Sequence, residues 1–160
     1  MIAREYPKRP IVGVGAVLFV DRSVLLVRRG QAPGKGEWSL PGGAVELGEG
    51  LEEALEREMM EELSVQVEIG GLLGVFDRIF RDPGGEIRYH YVLVDYWGWI
   101  RSGRPKAGSD ITEVRRFPVK ELEALPLKGG LKETIQRALE MRDRQWGLSD
   151  DLEKPLPVRP

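Results

Sequence analysis

Between Gly42 and Val65 a glycine-rich loop runs into a segment carrying far more carboxylate than a soluble helix needs, GGAVELGEGLEEALEREMMEELSV. Residues three and four apart on a helix share a face, so Glu58, Glu61 and Glu62 project together, with Arg57 beside them and Glu49 near the helix start. Like charges stacked in this way repel unless something positive sits among them. Mg²⁺ takes hard oxygen ligands from carboxylates, carbonyls and substrate phosphates, which makes a divalent cation the natural occupant. The stretch predicts a metal site, and the other elements must serve it.

Composition narrows what such a site could act on. At 160 residues the chain fits one domain with a core of its own. A net charge of −2 argues against a general binder of nucleic acid polymers, which would carry a basic stripe. It leaves room for a small phosphorylated ligand, because a metal supplies positive charge locally. The chain has no cysteine, so disulfides, zinc–thiolate sites and cysteine nucleophiles are excluded together. The opening MIAREYPKRP lacks the apolar core of a signal peptide, and no apolar run approaches the length of a membrane span. The expectation is a cytoplasmic protein without membrane contact.

The flanking elements read as α/β. Residues 1–9 form a polar arm, 10–147 a single domain, and 148–160 a proline-rich tail expected to fray. IVGVGAVLFV (Ile11–Val20) reads as a strand buried on both faces, and Val24–Arg29 as its hairpin partner. Gly13-Val14-Gly15 lacks the third glycine and the following helix of a dinucleotide fingerprint. Gly34-Lys35-Gly36 has no Ser or Thr after its lysine and makes no P-loop. Trp38–Leu40 is a short extended segment and Pro41-Gly42-Gly43 a sharp turn into the acidic stretch. Leu51, Leu55, Met59 and Leu63 give the helix, from about Gly48–Gly50 to Leu63, a stripe to bury, which leaves Glu52, Glu53 and Glu56 to solvent.

Beyond the helix, Val65–Ile69 and Leu72–Phe80 read as two strands broken at Gly70-Gly71, and Asp82-Pro83-Gly84-Gly85 as a turn. Ile87–Ile100 is the longest strand, apolar on both faces and therefore central. A short strand (Glu113–Phe117), a short helix (Val119–Leu125) and an amphipathic helix from about Gly130 to Trp146 complete the order. That order predicts a mixed β-sheet between helices.

The acidic stretch carries a resemblance. The chain resembles the Nudix hydrolase family, whose pattern G-x5-E-x7-R-E-U-x-E-E-x-G-U (U, bulky aliphatic) is met by Gly43, Glu49, Arg57, Glu58, Met59, Glu61, Glu62 and Val65. Ser64 stands where the family has glycine. The likeness continues through Arg28-Arg29, Trp38-Ser39-Leu40-Pro41-Gly42-Gly43 and Asp110…Glu113-Val114, and so spans roughly Pro10 to Leu139. It implies a Nudix-type α/β/α sandwich and hydrolysis of a nucleoside diphosphate linked to another group. ADP-ribose pyrophosphatase-like and MutT-like members are resembled together, with ADP-ribose ahead of a nucleoside triphosphate as substrate. A nucleotide-binding regulatory module that has lost turnover is the rival, and the intact carboxylates argue against it.

The resemblance also implies roles. Glu58, Glu61 and Glu62, with the carbonyl of Gly43, would hold Mg²⁺, with Mn²⁺ as substitute. Glu49 and Arg57 would lock the loop to the helix. Glu58 or Glu61 within the box, or Asp110 or Glu113 beyond it, would be the general base. Arg28 and Arg29 point to opposite sides of one strand, and Arg29 is chosen to reach a phosphate. Trp38 is a candidate for stacking on the substrate base, with packing as its alternative. His90 has no histidine or cysteine partner and is read as a lone strand histidine. Tyr96, Trp97 and Trp99 leave room for an aromatic interface in a homodimer, and burial in the core explains them as well. A serine in place of the motif glycine disfavours the left-handed conformation after the helix, by about 1 kcal/mol, so the chain either bears that strain or leaves the helix differently.

Overall fold

The computed structural model describes residues 3–108, 110–128 and 130–147, and the tail from 148 to 160 lies outside them. Strands β1 (Ile11–Val20), β2 (Ser23–Arg29), β3 (Trp38–Ser39) and β4 (Gly42–Ala44) precede helix α1 (Leu51–Leu63). Then come β5 (Gln66–Arg81), β6 (Ile87–Ser102), β7 (Ile111–Pro118), a 3₁₀ turn (Val119–Ala124) and helix α2 (Leu131–Trp146). One sheet runs in the order β3-β2-β1-β6-β5, with β4 on β1 and β7 on β2. The β1–β6 pairing is parallel and the other pairings are antiparallel. The sheet is mixed, as the element order predicts.

The alternation of side chains along β1 divides the interior in two. Val14, Ala16 and Leu18 pack under Ala54, Leu55, Met59 and Leu63 of α1. Val17 and Phe19 pack with Trp97 of β6 and with Ile135, Ala138 and Leu139 of α2. This is the α/β/α sandwich. Leu51, expected in the buried stripe, is 38% exposed, and Ala54 takes the place facing the sheet. Among the described residues no helix is long and apolar enough to cross a membrane.

Two local expectations need correction. Gly42 and Gly43 do not form a turn; with Ala44 they pair against Gly13–Gly15 of β1. Gly70-Gly71 does not break a strand either, since β5 runs unbroken past it and only shifts register between Ile69 and Gly71. The glycines are there because a Cβ at Gly70 would lie 2.5 Å from the Trp97 ring. Finally, Tyr96 and Trp97 are 6% and 0% exposed, and Trp99 packs on Trp146 with centroids 5.4 Å apart. Tyr96 and Trp97 lie in the core, and Trp99 packs at its margin.

The arm is not loose over the residues described. The Tyr6 N–H donates to the Arg88 carbonyl at 2.8 Å, and the Tyr6 hydroxyl donates to Asp82 at 2.9 Å. Ser64 takes the left-handed conformation (φ 59°, ψ 36°), so the chain leaves α1 as a glycine would and bears the strain. Replacing Ser64 by glycine is expected to raise stability by about 1 kcal/mol, read as a higher urea midpoint at unchanged slope.

Candidate active site

The loop between β4 and α1 must be fixed before its carboxylates can act together, and one side chain does most of that. Arg57 sits at the middle of α1, where it faces the loop. Its Nε donates to Glu49 Oε2 at 2.6 Å and its Nη2 to Glu49 Oε1 at 3.0 Å, a two-pronged pair. Nη2 also donates to the Ala44 carbonyl at 2.9 Å. Nη1 donates to Glu58 at 2.8 Å and to Glu61 at 3.1 Å. Glu49 in turn accepts the Glu46 backbone N–H at 3.0 Å. The Arg57 and Glu46 hydrogen bonds draw the Glu49 carboxyl down to about 2. The arginine itself is shifted upward, chiefly by Glu49.

The remaining carboxylates are under opposite pressure. Glu62 accepts the Gly42 N–H at 3.0 Å. Burial still pushes its carboxyl up to about 7, helped by the negative charges of Glu58 and Asp110 and opposed by Arg29. Burial raises Glu58 too, against the pull of Arg57. The Glu58 carboxylate lies so close to Gly43 that any Cβ there would collide with it. Glycine is therefore required at 43 for room as well as for an accessible carbonyl.

This donor set fits a hard divalent cation: the carboxylates outnumber the Arg57 guanidinium among them, and two of them, Glu58 and Glu62, are destabilised as anions. Among the described residues no three of these carboxylates converge as a ready-made cage, because Arg57 holds Glu58 and Glu61 while Glu62 turns to Gly42. Glu58, Glu61 and Glu62 are the side chains that would hold the ion. Glu52, Glu53 and Glu56 are exposed as expected, and Glu53 also accepts the Gly50 N–H.

The residues chosen outside the box divide. Arg29 Nε donates to the Pro33 carbonyl at 2.7 Å, and its charge reaches Glu62. Arg28 turns the other way, pairing with Glu113 at 3.4 Å and lying 4.7 Å over the Trp38 ring. Trp38 meets Phe117 edge-on at 4.9 Å and lies under Arg115 as well, which makes it a packing residue. Glu113 is bound between Arg28 and Arg115 on β7 and is not brought to the α1 carboxylates. Of the later acids, Asp110 is the one whose charge acts on Glu62; Gln31 holds its carboxylate at 3.0 Å, and its carbonyl accepts the Gly30 N–H at 2.8 Å. His90 is half-buried in β6. Two parts of the arrangement were not read from the sequence: the Glu46 and Gly42 N–H donors, which leave no mark on residue type, and Asp95, a lone acid in an apolar strand.

With this geometry in hand, comparison with known proteins is decisive about kinship. The NUDIX domain family profile matches residues 9–138. This chain belongs to the Nudix hydrolase family. Members of that family generally use divalent metals, in keeping with the carboxylates on α1. An ADP-ribose pyrophosphatase of Methanocaldococcus jannaschii is 38% identical over 116 residues, covering 72% of this chain and 66% of its own length. The match thus spans slightly less than two thirds of that relative. A MutT Nudix hydrolase structure from Burkholderia pseudomallei superposes with a TM-score of 0.69 at 33% identity, covering 81% of this chain and 98% of that one. The Nudix domain of Shewanella oneidensis NrtR, solved in complex with ADP ribose, gives 0.66 at 27% identity, covering 83% and 88%.

Two outcomes test the site. Gly43→Ala is expected to lower turnover by about 100-fold through displacement of Glu58, with little change in fold by circular dichroism. In metal-free protein, a carboxyl raised by folding holds its proton longer than in the unfolded chain. Glu62 therefore makes stability fall as pH rises from about 4.5 to about 7. Glu62→Gln is expected to flatten that part of the melting profile in chelator, and added divalent ion to restore stability to the wild type above pH 7.

Proposed function

We propose that this protein hydrolyses the pyrophosphate linkage of a nucleoside diphosphate derivative, with ADP-ribose as its substrate and Mg²⁺, or Mn²⁺ in its place, as the ion. The observation that carries the reading is the set of three carboxylates, Glu58, Glu61 and Glu62, gathered at one loop–helix junction in a chain 38% identical to an ADP-ribose pyrophosphatase. The ion, when bound, offsets the phosphate charge and lowers the pKa of a coordinated water. Water then adds across the linkage: one P–O bond forms, the bridging P–O bond breaks, and AMP and ribose 5-phosphate leave as two phosphomonoesters.

The chain's own residues divide this work. Glu58, Glu61 and Glu62, with the Gly43 carbonyl, would hold the ion, and one carboxylate accepts the water's proton. Glu58 and Glu61 are the first candidates. Of the later acids, Asp110 is better placed than Glu113, whose two arginine partners keep it elsewhere. Arg29, whose charge already reaches Glu62, forks onto a phosphate oxygen. Arg57 and Glu49 keep the loop on the helix and touch no reacting atom. A MutT-like action on nucleoside triphosphates is the second reading, favoured by the 33% identical MutT structure that this chain covers almost end to end.

Turnover of a nucleotide panel with Mg²⁺, with products identified, decides between them. AMP and ribose 5-phosphate from ADP-ribose support the first reading; a monophosphate and pyrophosphate from a triphosphate, with ADP-ribose untouched, support the second. Glu61→Gln and Glu62→Gln are each expected to lower kcat by about 100-fold or more. Full activity in both variants would remove the metal assignment.

A further inference from the structure

Asp95 is a carboxylate where the sheet has no evident use for one. It stands in the interior of β6 between Val94 and Tyr96, and is only 7% exposed. Val94 and Tyr96 belong to the α1 side of the sheet and Trp97 to the α2 side. By alternation Asp95 and Leu93 therefore face the α2 side, opposite the metal-binding carboxylates.

Among the described residues no hydrogen-bond donor pairs with its side chain. Burial pushes its carboxyl up to about 6, and the charge of Arg78 offsets this only in part. A buried carboxylate left without donors is costly, and a native protein that keeps one has a reason for it, such as a catalytic role or a bound partner.

Its two neighbours across the sheet carry no side chain. In register, Asp95 is flanked by Gly15 on β1 and Gly74 on β5. A Cβ at Gly15 would lie 2.8 Å from Asp95 Oδ1 and 3.4 Å from the Pro41 carbonyl oxygen. The same Pro41 carbonyl accepts the Ala16 N–H at 3.1 Å, and the next residue, Gly42, donates its N–H to Glu62. The carboxylate therefore lies against Gly15, the β1 residue that pairs with Gly42 at the start of β4. On the other flank Arg137 of α2 approaches Gly74, and Phe76 lies over it. A carboxylate with two glycine neighbours, an aromatic ring beside it and the phosphate-handling loop one strand away is placed to hold the part of a substrate that is not phosphate.

We propose that Asp95 is a specificity-determining residue that accepts hydrogen bonds from adjacent donors on the nucleoside half of the substrate, either the sugar hydroxyls or an amino-bearing base edge. The inference rests on the pyrophosphohydrolase reading above, but on neither choice of substrate within it. A neutral nucleoside donor pair satisfies the carboxylate, while the pyrophosphate extends past Pro41 toward Glu62. Asp95 touches no reacting atom, so its removal acts on substrate affinity before it acts on the chemical step.

The test compares wild type with Asp95→Asn and Asp95→Ser on ADP-ribose, 2′-deoxy-ADP-ribose, the hypoxanthine analogue of ADP-ribose, ATP, dATP and GTP. Melting temperatures are expected to hold or rise, because the substitutions remove an uncompensated buried carboxylate. KM for the best substrate is expected to rise roughly 10- to 100-fold with a smaller change in kcat, the loss due to a hydrogen bond with a charged acceptor. The deoxy analogues report on sugar hydroxyls and the hypoxanthine analogue on the base amino group. Whichever change weakens binding to wild type is expected to have little effect on the variants. KM within about twofold of wild type on every substrate turned over, in a folded variant, overturns the proposal; so does an analogue penalty that survives intact in both variants. If Asp95→Asn does not fold, Asp95→Ser is read in its place, and failure of both assigns the residue to structure and ends the proposal. Preference for triphosphates would displace ADP-ribose while leaving the Asp95 ratio to be read on them. A wild type that neither binds nor hydrolyses any of the panel overturns both readings.

Discussion

Five carboxylates, Glu46, Glu49, Glu58, Glu61 and Glu62, crowd the junction of β4 and α1, and the guanidinium of Arg57 among them makes their company tolerable. Its contacts go to loop and helix at once: Glu49 and the Ala44 carbonyl on one side, Glu58 and Glu61 on the other. The pair with Glu49 uses one edge of the planar group, Nε and Nη2, and the helix glutamates take Nη1. An ammonium group has neither the breadth nor the fixed directions to reach all of these partners. The arrangement also creates asymmetry. Glu49 is held firmly ionised while Glu58 and Glu62 are made reluctant anions, and reluctant anions have the most to gain from a divalent ion.

That junction is supported by an unusually bare piece of sheet. Gly13 and Gly15 of β1 lie opposite Ala44 and Gly42 of β4, and the side chains of Leu93 and Asp95 of β6 reach over them. Backbone can approach backbone here because no Cβ stands between. The result is a thin wall, one strand thick, with metal-binding acids on one side and an unpartnered acid on the other.

The fold was largely legible. The alternation in IVGVGAVLFV and the spacing of Leu55, Met59 and Leu63 specify burial by period alone, and the acidic box specifies the carboxylates. The failures have physical causes. Gly42-Gly43 and Gly70-Gly71 both suggest turns to anyone counting glycines. In the folded chain the first pair makes room for Glu58 and the second for the Trp97 ring, and neither reason is local. Trp38 and Glu113 sit near the box in the family pattern, but Arg28 and Arg115 engage both, a pairing between β2 and β7 that spacing does not reveal. Ser64 adopts the geometry of the glycine it replaces because the backbone bonds from Ser64 and Val65 to Met60 and Met59 hold it there.

The parallel pairing of β1 with β6 has a bearing on how the protein comes into being. Ile11 pairs with Tyr91 and Phe19 with Trp99, so the first strand waits for most of the chain before its central neighbour exists. The hairpin of β5 and β6 is local by contrast, and its two long arms meet across a short turn. Contacts that close long loops form slowly. On a ribosome, β1, β2, β4 and the acidic helix emerge first and can only assemble into a half-sheet with an open edge. The arrival of the β5–β6 hairpin closes that edge and brings Asp95 under Gly15. The two acids on either side of β1 therefore come together only once the β5–β6 hairpin has been made.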